Sequence, residues 1–420
     1  MKTLSGGVTA PKGFRASGVH CGVKKGKGDG NQPPMSGNPE VLESKKDLAL
    51  IVSDKECTAA AVYTLNRVKA APIYVTMDHL ENGVAQGVVA NSGNANACCP
   101  MSHENAEKMA ELAAAATGLK PADFVVASTG VIGQTLNIDA VAQGMPAAAA
   151  ALSRDGSDAA ANAIMTTDTV KKELAVSCTI GGKTVTIGAI AKGSGMIHPN
   201  MGTMLCFVTT DCAITQELLS AALHDIIPRT INRVTVDGDT STNDTCAILA
   251  NGMAENPLIE WKDDSYTVFY KTLHHVFEQL ARSIAADGEG ASKLITCTVQ
   301  NSRSEEAAER LSKSVVGSPL VKAAMFGSDA NWGRVLCAMG YSKAPFRPEY
   351  VDVTFSSAVG DILVCQQGQG VDFDEESATS ILSQDEVVIT IDVHEGTHTA
   401  TCWGCDLTYD YVKINGDYRT

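Results

Sequence analysis

The sequence predicts an α/β protein of layered sheets covered by helices. Short apolar runs typical of buried strands, such as residues 48–52 and 124–127, are interspersed with longer stretches of helical periodicity. The two kinds of element follow one another without a strict strand–helix–strand rhythm, which indicates mixed layers. At 420 residues the chain is long for one hydrophobic core, so we expect two or three lobes.

Two stretches in the first half of the chain carry clear helix signals. Residues 103–117 are rich in Ala and Glu and are followed by Gly118, a suitable C-cap. Residues 140–164 are also helical in composition, and we expect interruptions near Pro146 and Gly156. By the same criteria the second half is predicted to hold helices at 217–227, 265–286 and 319–327, and strands at 387–393 and 399–414.

Composition and charge argue against several classes of protein. The net charge of −15, from 48 acidic and 33 basic residues, would repel a phosphate backbone, so nucleic acid is not an expected partner. The first residues lack the apolar core of a signal peptide, and no apolar run is long enough for a membrane helix. Thirteen irregularly spaced cysteines argue against a disulfide framework. We therefore expect a cytoplasmic protein with no membrane partner.

Two short patterns look like metal or redox motifs but lack the necessary context. His394-Glu-Gly-Thr-His398 matches the H-E-x-x-H of zinc proteases, which needs a helix to bring both imidazoles to one face. Here the five residues contain Gly and join two strand-like runs, so we expect a hairpin turn and no metal site. Cys402-Trp-Gly-Cys405 has no helix after it, which favours a strand with two buried thiols over a redox site.

The stretch from Lys192 to Asp211, KGSGMIHPNMGTMLCFVTTD, is the most informative part of the chain. A glycine-rich loop containing a proline ends in Gly202–Thr203, and an apolar run typical of a buried strand follows. Self-cleavage before Thr203 would give this residue both a hydroxyl nucleophile and a free α-amine. A terminal amine, with a reference pKa of roughly 8, can take the hydroxyl proton near neutral pH.

The cleavage segment and several polar, small-residue segments together resemble one family, the ornithine acetyltransferases, or bifunctional glutamate N-acetyltransferases, of arginine biosynthesis. That family's segment runs Lys-Gly-Ser-Gly-Met-Ile-x-Pro-Asn-Met-Ala-Thr-Met-Leu. Residues 192–205 follow it with one departure, Gly202 in place of Ala. Gly is smaller and more permissive but less preorganised, so we expect cleavage to survive and to be slower. The other matching segments are 91–97, 128–133, 165–168, 237–244, 287–293, 329–334 and 415–420.

The resemblance implies an αββα-like sandwich and a precursor that separates into an α chain, 1–202, and a β chain, 203–420. Two copies of each chain are expected to form an α2β2 assembly. The implied reaction is ping-pong acetyl transfer, in which Thr203 takes acetyl from N-acetylornithine, releases ornithine and passes the acetyl to glutamate. No cofactor and no metal are implied, and acetyl-CoA stays open as a co-substrate.

The resemblance also implies roles for individual residues. Thr129 and Gly130 match the family's oxyanion-hole pair, and their strand-to-loop setting suits donors aimed at a developing oxyanion. A zwitterionic amino acid needs a cation for its α-carboxylate and acceptors for its amino groups, and Lys192 and Glu289 are of those types. The positions that match the family's substrate contacts are Thr166, Lys192, Thr203, Glu289, Asn415 and Thr420.

Two alternative functions stay open at this point. A self-processing aminopeptidase or amidase of the related fold would pass the acyl group to water, and the motifs outside the cleavage segment argue against it. A non-enzymatic acidic binding protein that retains the fold would need neither Thr203 nor the pair Thr129 and Gly130.

Overall fold

The structure is a computed structural model that describes residues 1–24, 45–198 and 204–417. Within these ranges the chain forms sixteen strands in two sheets and eleven α-helices. The predicted α/β class, with layered sheets and covering helices, is confirmed. Gly202, Thr203 and Thr420 lie outside the described residues.

The first sheet combines strands from both sides of the predicted cleavage junction. Its strands are Lys2–Leu4 (β1), Phe14–Val19 (β2), Leu48–Tyr63 (β3), Val84–Asn94 (β4), Phe124–Val131 (β5), Lys172–Ile180 (β6), Lys183–Lys192 (β7), Leu205–Thr210 (β8) and Thr245–Ala250 (β10). Their order is β1-β6-β7-β8-β10-β3-β4-β5, and β2 also pairs with β3. The strand that follows the junction, β8, therefore lies in the interior of this sheet, between β7 and β10.

The second sheet is built entirely from the C-terminal half. Its strands are Val234–Thr235 (β9), Leu294–Ser302 (β11), Asp352–Ser357 (β12), Gly360–Gln366 (β13), Gln369–Gly370 (β14), Glu386–Asp392 (β15) and His398–Cys405 (β16), in the order β14-β13-β12-β15-β11-β16-β9. The hairpin predicted at 394–398 is wrong. β15 and β16 do not pair with each other, because β11 lies between them, parallel to β15 and antiparallel to β16.

Helices cover both sheets. They are Ala71–His79 (α1), Ser102–Thr117 (α2), Ile138–Ala150 (α3), Ser157–Ile164 (α4), Gln216–Arg229 (α5), Asp264–Ala286 (α6), Glu305–Val316 (α7), Pro319–Phe326 (α8), Trp332–Gly340 (α9), Glu375–Leu382 (α10) and Tyr409–Asp417 (α11). The first six pack on the first sheet, and α7 to α10 share a core with the second. Helix α6 contacts strands of both sheets. The apolar face predicted for it is buried: Phe269, Leu273, Val276, Phe277, Leu280 and Ile284.

Of the two interruptions predicted in the helical stretch 140–164, the one near Gly156 is confirmed and the one near Pro146 is wrong. The interruption at Gly156 is real, because a Cβ there would lie 1.7 Å from the Ala16 carbonyl oxygen, and α4 begins at the next residue. Pro146, by contrast, lies inside α3 and does not end it. The side chain of Pro146 is exposed, so its ring and the hydrogen bond it removes lie on the solvent side of the helix.

The C-terminal strand prediction is correct only in its first half. Residues 399–405 belong to β16, with Cys402 and Cys405 buried as predicted, but 409–414 lie in helix α11. Two hydrogen bonds to Thr408 explain the change. Its hydroxyl donates to the Gly290 carbonyl at 2.6 Å and accepts the Asp410 N–H at 3.2 Å, which starts a helical turn against a distant loop. In the part of the chain that the structure describes, no helix is long and apolar enough to cross a membrane.

Candidate active site

The predicted oxyanion pair lies at the carboxyl end of β5. This strand runs parallel to β4, and Gly93 pairs with Gly130 in the register. Gly130 has φ of +132°, and a Cβ there would lie 2.3 Å from the Gly93 carbonyl carbon and 2.5 Å from the Asn94 nitrogen. The two strand ends thus approach so closely that only glycine fits at this position.

Lys192 ends β7, and its side chain reaches the oxyanion pair. Its Nζ lies 3.4 Å from the Thr129 hydroxyl, which is its one hydrogen-bond partner among the residues described. Burial lowers the pKa of Lys192, and the carboxylates of Asp168, Asp244 and Glu289 act against that shift. Since an ammonium carries three donors, this buried cation has donor capacity left for an anionic ligand.

Thr129 and Lys192 line a small cavity. The other described residues around it are Gly195, Met196, Ile197, Met204, Leu205, Ser241, Asn243 and Asp244. Met204, one of these lining residues, follows Thr203 in the chain. Asn243 fixes its wall, because the side-chain amide donates to the carbonyl oxygens of Ala95 at 2.6 Å and Ser128 at 2.8 Å. Three of the polar segments found in the sequence therefore meet here.

Asp168 ties Thr166 to the loop that follows Lys192. Its carboxylate accepts the Thr166 N–H at 3.1 Å, the Gly193 N–H at 2.7 Å and the Lys172 ammonium at 2.7 Å. Burial acts to raise the pKa of Asp168, but the charges of Lys192 and Lys172 outweigh it and hold the value at about 2. The carboxylate therefore stays ionised and holds two predicted substrate contacts in one network.

The same network continues to the end of helix α6. Asp287 accepts a second hydrogen bond from Lys172, at 2.5 Å, and its carbonyl accepts the Ser194 hydroxyl at 2.7 Å. Two residues later, Glu289 donates its backbone N–H to the Ser194 carbonyl at 3.0 Å. A Cβ at Gly195 would lie 2.3 Å from the Glu289 carboxyl carbon. The Glu289 carboxylate is therefore held directly over the glycine loop that follows Lys192.

Asn415 reaches the site from helix α11. Its side-chain amide donates to the Glu289 carboxylate at 2.8 Å, which joins the last described helix to the loop after α6. The structure thus brings together six of the residues predicted from the sequence, which come from five separate segments: Thr129, Gly130, Thr166, Lys192, Glu289 and Asn415. The remaining predictions, Gly202, Thr203 and Thr420, fall outside the described ranges.

An open cleft lies beside this cluster. It runs between residues 166–172 and helix α11, and Asp287 and Gly288 form part of its wall. Thr166 is one of the residues that line this cleft. The arrangement therefore combines a buried cation, a fixed carboxylate and a tight strand end, which are the groups needed to orient a zwitterion beside an acyl-transfer centre.

Sequence reasoning missed several residues of this site. Asp168, Asn243 and Asp244 all lie in segments that were singled out as polar and rich in small residues, but no role was predicted for them. The only signal available was an acidic or amide side chain in such a segment. Asn243, for example, contacts Ala95, a residue more than one hundred positions away in the chain. A sequence pattern does not contain contacts of this kind.

The H-E-x-x-H pattern at 394–398 lies between β15 and the start of β16 and not on a helix. His394 and His398 flank a turn between strands, and the His394 ring lies 2.8 Å from the Asp352 carboxylate. Among the described residues no three His, Cys, Asp or Glu side chains are grouped so that they could hold a metal ion.

Comparison with known proteins agrees with the resemblance. A model of the ArgJ family matches residues 36–420. The arginine biosynthesis bifunctional protein ArgJ of Symbiobacterium thermophilum is 53% identical over 421 residues, and that of Caldanaerobacter subterraneus is 47% identical over 421 residues. Both alignments cover 100% of this chain and 100% of the relative.

Solved structures of similar proteins match about half of the chain. The arginine biosynthesis bifunctional protein ArgJ from Bacillus halodurans is 45% identical, with a TM-score of 0.48, and covers 50% of this chain and 98% of its own. An ornithine acetyltransferase from Mycobacterium tuberculosis, solved with ornithine, is 36% identical with a TM-score of 0.39, and covers 47% of this chain and 98% of its own. Because the family model spans residues 36–420 and full-length relatives are up to 53% identical, this chain belongs to the ArgJ family.

Proposed function

We propose that this protein is an acetyltransferase of arginine biosynthesis that moves acetyl from N-acetylornithine to glutamate through an acetyl-Thr203 intermediate. The observation that carries the proposal is the convergence of Lys192 and Glu289 beside Thr129 and Gly130, next to the chain that continues from Thr203. A scaffold or binding protein needs no such combination of opposite charges around a strained strand end.

The charges of the site match the substrates. Both N-acetylornithine and glutamate carry an α-carboxylate, and the Lys192 ammonium is the cation that would bind it. The Glu289 carboxylate, held by Asn415 at 2.8 Å, would accept hydrogen bonds from the substrate's amino group. Two opposite charges at fixed positions orient an amino acid, so that its acetyl group is presented to Thr203.

Acetyl transfer then takes place in two half-reactions. The Thr203 hydroxyl attacks the acetyl carbonyl of N-acetylornithine while the Thr203 α-amine takes the hydroxyl proton. Thr129 and Gly130 stabilise the oxyanion, and collapse of the intermediate releases ornithine, which takes the proton as its amine departs. Glutamate enters with its amine deprotonated and attacks the carbonyl carbon of the acetyl ester. The bond from that carbon to the Thr203 oxygen breaks, the attacking nitrogen gives up a proton to this oxygen through the Thr203 α-amine, and N-acetylglutamate is released.

The same nucleophile accounts for self-cleavage. Attack of the Thr203 hydroxyl on the Gly202 carbonyl would give an ester, and water would hydrolyse it to an α chain, 1–202, and a β chain, 203–420. The sheet order supports products that stay together, because β7 and β3 of the α chain pair with β8 and β10 of the β chain. We propose that two such pairs form an α2β2 assembly.

We also propose acetyl-CoA as a second acetyl donor and no resident cofactor or metal. The word bifunctional in the relatives' names supports two activities at this site. We place the reaction in the cytoplasm, since all thirteen cysteines are free thiols, as is usual in a reducing compartment.

Substitution of Thr203 tests the proposal. We expect Thr203→Ala to remain a single chain on a denaturing gel and to lose about 10³-fold or more of acetyl transfer. Thr203→Ser keeps a hydroxyl and an α-amine and is the matched control, for which we expect both processing and measurable transfer. The N-terminus of the larger of the two wild-type bands, the β chain, should read Thr-Met-Leu-Cys.

Two results would overturn the assignment. An active Thr203→Ala variant would remove Thr203 as the nucleophile. A wild-type enzyme that releases acetate in place of N-acetylglutamate, with glutamate present, would make the protein an amidase of the same fold.

A further inference from the structure

Asp244 is a buried acidic residue that the proposed mechanism does not use. Its side chain lies in the cavity that Thr129 and Lys192 also line, and only 1% of the residue is exposed. Asp244 immediately precedes β10, which runs parallel to β8 with Thr245 opposite Leu205. One step back in this register, Asp244 lies opposite Met204, and the Thr245 N–H donates to the Met204 carbonyl at 3.0 Å.

The carboxyl group of Asp244 has an unused acceptor. Among the described residues its Oδ2 has no hydrogen-bond partner, although the atom is buried. Burial raises the pKa of this carboxyl well above its ordinary value, and hydrogen bonds from Ser241, Thr64 and the Met204 N–H, together with the charge of Lys192, lower it by less. These groups leave Oδ2 without a hydrogen-bond partner. A buried polar atom without a partner costs stability, so natural structures contain few of them, and each calls for an explanation such as a catalytic role.

The positive charge of Lys192 does not by itself explain why a carboxyl group is buried at position 244. The ammonium of Lys192 already faces the carboxylates of Asp168 and Glu289, and its hydrogen bond goes to Thr129. Both oxygens of the Asp168 carboxylate accept hydrogen bonds, which come from Thr166, Gly193 and Lys172. Asp244 differs from Asp168 in having an oxygen left free inside the reaction cavity.

We propose that Asp244 is a further residue of the acyl-transfer site, whose free oxygen accepts a hydrogen bond from an amine N–H brought into the cavity. A carboxyl oxygen accepts such a bond whether the group is ionised or protonated. Amines are the ligands that the reaction supplies: the amine of the substrate, and the α-amine that cleavage would create one residue before Met204. The inference rests on the proposed function, because only that reaction brings an amine to this cavity.

The inference predicts opposite effects of one substitution on stability and on activity. Asp244→Asn keeps the shape of the side chain and removes the acidic oxygen. We expect its thermal midpoint to equal or exceed that of the wild type, because a buried carboxyl without a full set of partners is lost. We expect kcat/KM for acetyl transfer to fall about 10- to 100-fold, the usual effect of a lost hydrogen bond to a charged group.

The kinetic constants distinguish the two sources of the amine. A fall in kcat for both half-reactions, with unchanged KM, identifies the α-amine that activates the nucleophile. A rise in KM for glutamate alone identifies the substrate's amine. Asp239→Asn is the matched control, because Asp239 is an exposed acid in the same loop, and we expect wild-type kinetics and stability for it.

Failure of this inference differs from failure of the proposed function. If the wild type transfers acetyl and Asp244→Asn does so equally well, Asp244 has no role in the reaction. If Asp244→Asn is clearly less stable, its oxygen has a structural partner and the premise is wrong. If the wild type itself transfers no acetyl, the proposed function fails. Asp244→Ala, which removes both oxygens, is a second variant for the kinetic comparison, and we expect the same fall in kcat/KM.

Discussion

Replacement of Gly130 by alanine probes the predicted oxyanion site directly. A Cβ at this position would lie 2.3 Å from the Gly93 carbonyl carbon, 2.5 Å from the Asn94 nitrogen and 2.7 Å from the Gly93 Cα. All three are backbone atoms, so the contact can be relieved only if the ends of β4 and β5 move apart. The φ of +132° adds strain of its own for any residue with a side chain.

The size of the effect follows from these two costs. Backbone strain of this kind amounts to about 1–3 kcal/mol, and relief of the contact adds to it. We therefore expect Gly130→Ala to lower the free energy of unfolding by about 3 kcal/mol or more. Movement of the strand end also displaces the oxyanion donors, and loss of one such donor lowers kcat by about 10²- to 10³-fold.

Gly133 provides a matched control on the same loop. Its φ is +81°, but a Cβ there would meet no atom within 4 Å. Gly133→Ala should therefore cost only about 1–2 kcal/mol of stability from its left-handed backbone and leave kcat essentially unchanged. Both variants can be compared by urea denaturation and by ornithine release from N-acetylornithine with glutamate. A Gly130→Ala enzyme with wild-type kcat, or a Gly133→Ala enzyme that is equally inactive, would refute the reasoning.

Two further predictions concern partly or fully buried ionisable side chains, those of Asp168 and His198. Asp168→Asn removes the charged acceptor shared by Thr166, Gly193 and Lys172. We expect KM for both substrates to rise about tenfold and the free energy of unfolding to fall by about 3 kcal/mol. KM values within twofold of wild type would contradict a role of Asp168 in holding the substrate contacts. Burial lowers the pKa of His198 to about 4, so the folded state favours neutral His198, and stability should be lost as pH falls from 6.5 towards 4. The free energy of unfolding of the wild type, measured by urea denaturation, should therefore fall relative to that of His198→Gln by about 2 kcal/mol over that pH range. This figure allows for solvent screening of the half-buried ring. If the difference between the two free energies stayed constant, His198 would not titrate in that range.

The elements that the sequence predicted well are those whose signals are local. Helix α6 follows from a 3.6-residue apolar period, and α2 ends at Gly118, whose φ of +79° suits the left-handed C-cap. The predictions that failed depended on partners far away in the chain. The strand pattern at 409–414 gave way to a helix anchored on Gly290, and the expected hairpin at 394–398 was replaced by insertion of β11.

The candidate site divides in the same way. Lys192, Glu289 and the Gly202–Thr203 junction were predicted from the sequence alone, because the residues of these segments match the family's motifs. Which of them meet, and what holds them, was decided by tertiary structure. Asp168 and Asp244 have roles in the site only because strand pairing and burial remove water and bring charged groups from separate segments together. The strength of the interactions between these groups depends on distance and surroundings, which no linear pattern records.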